Sequence, residues 1–435
     1  MRPWEHRTSH PRARLSQGKA RMVNFPFGFT PDDNNKFDLA ALGAMLQQLG
    51  GMLQKVESLD EGPIAWSMIR DTALTGIKKT DTQLTIEQQN FVNDAIRLAQ
   101  DWLDAHTTLP ASSATAMAWN ERSWLENSFE SWKPIISPVA LAMSGLMTQM
   151  NPMQELGDVP PELQQMLMPM LQMAEKLGAI STATQIGQGL ASLATETLSG
   201  GDISIPLEPN KVPALLPEHI AAFAKNYELP ASEVLMLCAV REAAICRLYS
   251  QYPWIEDAVI GAIVKYSRGI TFNEDHLREM MSGINPEDPE SLQAAMSEGL
   301  FEPPTTDEQV KALTELEFLL ALIDGWVSFI THKVISGKLT NADALLETMN
   351  RRRVTGSPAA KVFSQLVGLQ LRPSLIRSAS DFFAEYSSHA THNEMNFVFT
   401  SPDTLPTAAD FQDVAGYLRK IQIRMQQSED PTFNL

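Results

Sequence analysis

The sequence predicts a mainly α protein, a multi-helix fold with little or no β-sheet. Apolar residues return at three- and four-residue spacing along most of the chain beyond residue 36, the period of a helix that buries one face. Helix-start chemistry accompanies that period, as in Thr85-Ile-Glu-Gln88, where a hydroxyl and a side-chain amide can cap the first free backbone N–H groups. Strand patterning is nearly absent.

Residues 1–35 lack periodicity and are rich in Arg, Pro, Asn and Asp, the composition of a disordered basic tail. From Phe37 to Val56, the residues Leu39, Leu42, Met45, Leu46, Leu49 and Leu53 form the stripe of an amphipathic helix. Thr85 opens a helix to about Ala105, with Phe91, Ala95, Leu98 and Trp102 on one face. Trp119, Trp124, Phe129 and Trp132 follow as an aromatic stripe whose ordinary meaning is core. Residues 143–173 hold eight of the chain's 21 methionines, interrupted by Pro152, Pro160 and Pro161. Thioether side chains adapt to irregular surfaces, so Met147, Met150, Met166 and Met170 form either a partner groove or flexible core filling. Gly187-Gln-Gly189 supplies small residues for close helix approach, and Ser199-Gly-Gly-Asp-Ile-Ser-Ile-Pro206 is the one loop with strand character. That loop is no phosphate cradle, because no Gly-Lys-Ser/Thr follows it.

Residues 201–216 mark an internal boundary, and helices are expected after it at 217–226, 231–252, 255–267, 289–299, 306–336, 341–349, 358–370, 373–385 and 407–426. The expected layout is an N-terminal helical part over 36–200 and a C-terminal helical part over 201–428, together one compact unit over 36–428.

Composition narrows the functional classes. The length of 435 residues allows one large domain or two ordinary ones, and 44% hydrophobic residues suffice for a substantial core. A formal net charge of −18 argues against an extended nucleic-acid surface, which needs basic residues to displace phosphate counterions. No run of about eighteen apolar residues occurs, so no membrane span is expected. The basic start has no apolar segment after it, so it is not a secretory signal. Met22 opens a more natural beginning, and the expected location is the cytoplasm. Cys238 and Cys246, eight positions apart in one predicted helix, would stand about 12 Å apart, too far for a disulfide.

The helix at 231–252 carries the most informative frame, Arg241-Glu242-Ala243-Ala244-Ile245. A zinc hydrolase of the His-Glu-x-x-His type needs two imidazoles one turn apart with a Glu between them as general base. Glu242 keeps the base position, but Arg241 and Ile245 stand at the ligand positions. A guanidinium cannot shed its proton to ligate a metal, and a sec-butyl group has no lone pair.

The surroundings of that frame resemble the zincin-like metallopeptidase type 2 family, common in actinobacteria, whose members often carry only a provisional hydrolase label. The resemblance runs through Pro217-Glu-His-Ile-Ala-Ala-Phe223, Arg247-Leu-Tyr249, Pro253-Trp254, Leu322-Ile-Asp-Gly-Trp-Val327, Asn350-Arg-Arg-Arg353, Leu366 to Pro373 and Pro402 to Asp410. Upstream it takes in Gly62 to Trp66, Ala99 to Leu103, Leu109-Pro110 and Trp119 through Trp132, so that it covers about residues 24–420. It implies His-Glu-x-x-His in many members and, in one subgroup, Arg in place of the first His with the second kept. This chain lacks both. Asp324 stands where zinc-binding relatives are expected to place a carboxylate ligand, with a side chain one methylene shorter than Glu.

The expectation is therefore a non-catalytic member of such a family. Arg241 would replace the metal by an ion pair to Asp324 or Glu317, Glu242 would be a vestigial base, and no zinc would be bound. The protein would act in the cytosol by binding a protein partner. The alternative is a metal-dependent hydrolase with non-standard ligands. Nucleophilic catalysis has little support, since no Gly-x-Ser-x-Gly occurs and Cys246 has no recognisable His partner.

Overall fold

The computed structural model describes residues 64–77, 83–149, 161–270, 306–354 and 373–429. Contacts divide the chain into Met1–Ser58 and Leu59–Leu435, and every described residue belongs to the second unit. The described residues form twelve α-helices and a two-stranded parallel sheet, so the fold is mainly α. In order they are α1 (Trp66–Gly76), α2 (Ile86–Asp104), β1 (Met117–Ala118), α3 (Glu121–Gln149), α4 (Pro161–Ala194), β2 (Ala214–Leu215), α5 (Pro217–Asn226), α6 (Ala231–Gln251), α7 (Trp254–Arg268), α8 (Asp307–Ile335), α9 (Ala342–Val354), α10 (Pro373–His389), α11 (His392–Phe397) and α12 (Val414–Glu429). The helices expected at 37–56, 289–299 and 358–370 lie outside the described residues.

Local chemistry sets the boundaries. The Thr85 hydroxyl accepts from Gln88 N at 3.1 Å and the Gln88 side chain accepts from Thr85 N at 2.9 Å, so α2 begins at the expected capping box. Thr306 and Gln309 repeat the device at α8. The buried face of α2 differs from the expected one. Val92, Ala95, Ile96, Ala99 and Leu103 are buried, whereas Phe91 and Leu98 are 57% and 42% exposed. The two large side chains sit on the flank of the helix, and the smaller ones allow it to approach α6 closely. A single helical turn at Asp410–Gln412 precedes α12, where the sequence suggested one continuous helix. The Asp413 carboxylate accepts from Gly416 N at 2.8 Å and restarts the chain there.

Trp119, Trp124, Phe129 and Trp132 are all buried, as an aromatic core stripe should be. The small residues of α4 do what their size suggests: a Cβ on Gly187 would lie 2.6 Å from Thr72 Cβ, so α1 and α4 cross in near contact. The helices α6 and α8 form the centre of the described helices. Thirteen residues of α6 are buried, from Val234 to Tyr249, and α8 packs against α6, α7 and α10. By length and composition α8 could cross a membrane, but its most apolar window is 78% buried within the protein.

Residues 198–216 lie as a strap across α6. Met117 and Ala118 pair in parallel with Ala214 and Leu215, and Leu198 to Gly200 comes alongside through Leu216 N to Leu198 O at 3.0 Å and Gly200 N to Ala214 O at 2.9 Å. Ser204 and Lys211 hold positive φ angles of 65° and 57°, a strained conformation for residues with a Cβ. Both are pinned: the Tyr249 hydroxyl donates to Ser204 O at 3.0 Å, and Lys211 Nζ meets Glu256 at 2.8 Å.

Candidate functional site

Arg241 and Glu242 project from adjacent positions of α6 into different surroundings. Arg241 Nη2 donates to Asp324 Oδ1 at 2.8 Å, and Nη1 reaches Ser328 Oγ at 3.4 Å. The side chains of Arg241 and Asp324 are 15% and 6% exposed. Asp324 lies on the buried stretch of α8, as does Glu317 two turns earlier. The anticipated cross-helix ion pair is thus present, and Asp324 is the carboxylate that takes it.

Glu242, 2% exposed, is held by the strap. Its Oε2 accepts from Gly201 N at 2.9 Å and its Oε1 accepts from Ala214 N at 3.2 Å. Burial pushes the Glu242 carboxyl up to about 7, and hydrogen bonds from Ser199, Ala214 and Gly201 pull in the opposite direction. Ile245, one turn on, lies under the same strap: a Cβ on Gly201 would fall 2.7 Å from Ile245 Cγ2 and 3.0 Å from Glu242 Oε2. Only a residue without a side chain lets the strap sit this close.

A second ion pair fixes the strap. The Arg352 guanidinium grips Asp202 with both Nη atoms, at 3.0 and 2.7 Å, and Nη2 also donates to Glu196 O at 2.8 Å. Burial pushes the Asp202 carboxyl up, but Arg352 outweighs it and holds the group below its ordinary range, with Arg241 adding to the effect. Arg241, Asp324, Arg352, Asp202 and Glu242 therefore make a largely buried charge network around the middle of α6. The sequence reading missed Asp202 and Arg352 as a pair. Both lie in stretches it singled out, the strand-like loop and Asn350 to Arg353.

Three histidines and the two cysteines add no ligand or nucleophile to this network. His219 Nδ1 meets Thr197 O at 2.7 Å and Nε2 approaches Glu121 at 3.4 Å, which ties α5 to the start of the strap. His389 and His392 are exposed. Cys238 and Cys246 are free and buried, with burial pushing Cys238 up to about 12 and Cys246 well above its ordinary value. Thiols in this state are poor nucleophiles. Met150 lies outside the described residues, as do the side chains of Met147, Met166 and Met170.

The donor set does not fit a zinc ion. Arg241 is a permanent cation and already occupies Asp324. Ile245 offers no lone pair, and both Glu242 oxygens are engaged by backbone amides. Among the described residues no three His, Cys, Asp or Glu side chains come together in a metal-holding group. What the arrangement can do is bind: beside Arg241, between α6, α8, α9 and α10, lies a cavity of about 370 Å³.

Comparison with known proteins places this geometry in context. A family model described as zincin-like metallopeptidase matches residues 64–418. A crystal structure from Chloroflexus aurantiacus, described as a provisionally assigned hydrolase with a novel fold, aligns over 82% of this chain and 99% of its own at a TM-score of 0.54. Its sequence identity is 15%, so the likeness is one of fold. A search of the curated proteins gives no match.

Proposed function

This chain belongs to the zincin-like metallopeptidase family, and from that premise we propose that it is a non-catalytic member that works by binding, as a cytosolic scaffold or ligand-binding protein. The observation that carries the reading is the 2.8 Å pair between Arg241 and Asp324. In a working site of this type three protein ligands hold zinc and leave one position for a water, which the metal acidifies. Here one ligand position supplies the positive charge itself and neutralises the carboxylate meant for the metal. Glu242, the base of a working site, ties down a loop.

Metal analysis of the purified full chain, paired with a peptide-hydrolysis assay, tests the proposal. Substoichiometric zinc and no hydrolysis above background are expected, including after incubation with added zinc. One zinc per chain, or zinc-dependent hydrolysis, would overturn the reading in favour of a metal-dependent hydrolase with non-standard ligands. The Met-rich stretch at 143–173 is the segment assigned to a protein partner, on its composition alone.

A further inference from the structure

The cavity beside Arg241 has a charge layout that selects its occupant. Leu237 and Met349 are buried and Arg241 is mostly so, which sets the guanidinium deep in the cavity. Only one of its donors is firmly committed, to Asp324 at 2.8 Å, and its contact to Ser328 is long at 3.4 Å. An incoming carboxylate can therefore take up the donors that remain. The exposed mouth has the opposite character. Asp343 and Glu347 of α9 and Asp381 of α10 line it, against Arg377 and a His332 that is charged only when protonated. Arg351 engages one Glu347 oxygen at 2.8 Å, which leaves Asp343 and Asp381 as the main acidic groups. Leu346 and Ile376, both half-buried, add apolar lining.

Resting on the non-catalytic reading of Arg241, we propose that this cavity binds a small zwitterion with a carboxylate at one end, a methylene stem, and an ammonium or guanidinium at the other. Free lysine, arginine and other ω-amino carboxylates are of this class. The volume of about 370 Å³ suits a molecule of amino-acid size. A plain anion would meet repulsion at the mouth, and a plain cation would meet Arg241.

Isothermal titration calorimetry on the full chain at low ionic strength, with 6-aminohexanoate, lysine and arginine as probes, tests the proposal. Hexanoate and hexylamine serve as single-charge controls. At least one zwitterion should bind, with each control weaker by about tenfold or more. The double variant Asp343→Asn/Asp381→Asn should weaken binding by about tenfold at an unchanged thermal midpoint, because both side chains are exposed. Arg241→Met should abolish binding; if that variant does not fold, the rim variant decides alone. No heat from any zwitterion at millimolar concentration, or equal binding of hexanoate, would overturn the proposal. The titration is independent of zinc: a chain that bound both zinc and the zwitterion would sink the non-catalytic reading and leave the cavity's ligand class standing.

Discussion

Arg241 and Asp324 have given up most of their hydration, so each depends on the other more than a surface pair would. Truncating one partner leaves a buried charge, at a cost of about 3–5 kcal/mol, whereas replacing both with apolar groups is often close to neutral. Arg241→Met and Asp324→Leu should each lower the urea midpoint strongly, and the double variant should recover most of the loss. Additive losses in that cycle would show that the pair is not coupled. Glu242 makes a prediction of opposite chemistry. Its carboxyl rises from an ordinary 4.5 to about 7 in the folded protein, so between those values the native state holds a proton that the unfolded chain has released. The group's contribution is complete below pH 4.5 and is lost as pH rises through 7, by roughly 3 kcal/mol in total. Denaturant midpoints between pH 4.5 and 8 should therefore fall more steeply for the parent chain than for Glu242→Gln, and parallel curves would sink the argument. The cross-helix pairing of Arg241 was legible because a cation inside an apolar helix needs a carboxylate on the facing helix. Glu242's partners were not, since backbone amides leave no trace in sequence of which helix they will face.

The strap is the element that converts these residues into a sealed site. Its two glycines, two left-handed residues and one bidentate ion pair all serve to hold a connecting segment flat against α6. Gly201→Ala should destabilise the protein and raise hydrogen exchange across 198–216, because the added methyl would sit 2.7 Å from Ile245 Cγ2. Combined with Ile245→Ala, which removes the opposing atom, the two losses should total less than their sum; full additivity would mean that the strap is limited by backbone strain instead. Arg352→Lys should loosen the same segment without touching α1 or α4, since an ammonium cannot grip both Asp202 oxygens. Exchange mass spectrometry that shows no local change would place the anchor elsewhere. The sequence marked 199–206 as the one loop with strand character, which β2 and its neighbours explain. It could not say where the segment lies, because pairing between residues 117–118 and 214–215 joins stretches nearly a hundred positions apart. The flank of α2 was misjudged for a related reason: helical period identifies a stripe, while the neighbouring helix decides how large a side chain that stripe can bury.

Across the described residues, α6 and the turn that follows it are tied to segments on either side of them in the sequence. Arg247, fully buried, donates to the Gln100 side chain and carbonyl and to Leu109 O, and pairs with Asp104 at 2.8 Å. At the other end, the Tyr252 hydroxyl donates to Asn396 O and Trp254 Nε1 to Phe399 O, both at 2.8 Å. The mainly helical class was readable from periodicity alone, but these long-range ties were not, because a single Arg or Tyr in an apolar stretch does not name the carbonyl it will reach. Their consequence is cooperativity: α2 cannot leave its place without stripping buried partners from α6, and α3 is tied to the same body through α7. The described helices should therefore unfold in one transition, with far-ultraviolet dichroism and tryptophan fluorescence coincident and the calorimetric and van't Hoff enthalpies equal. Arg247→Met removes the guanidinium and strips a partner from the Leu109 carbonyl and from the buried Gln100 side-chain amide, so it should cost about 3–5 kcal/mol. Because the tie joins α2 and the segment after it to α6, that loss should shift both probes together. A fluorescence transition that moved ahead of the dichroism would mean that the stretch up to α4 unfolds on its own, and the ties through α6 would then be too weak to bind the chain into one cooperative unit.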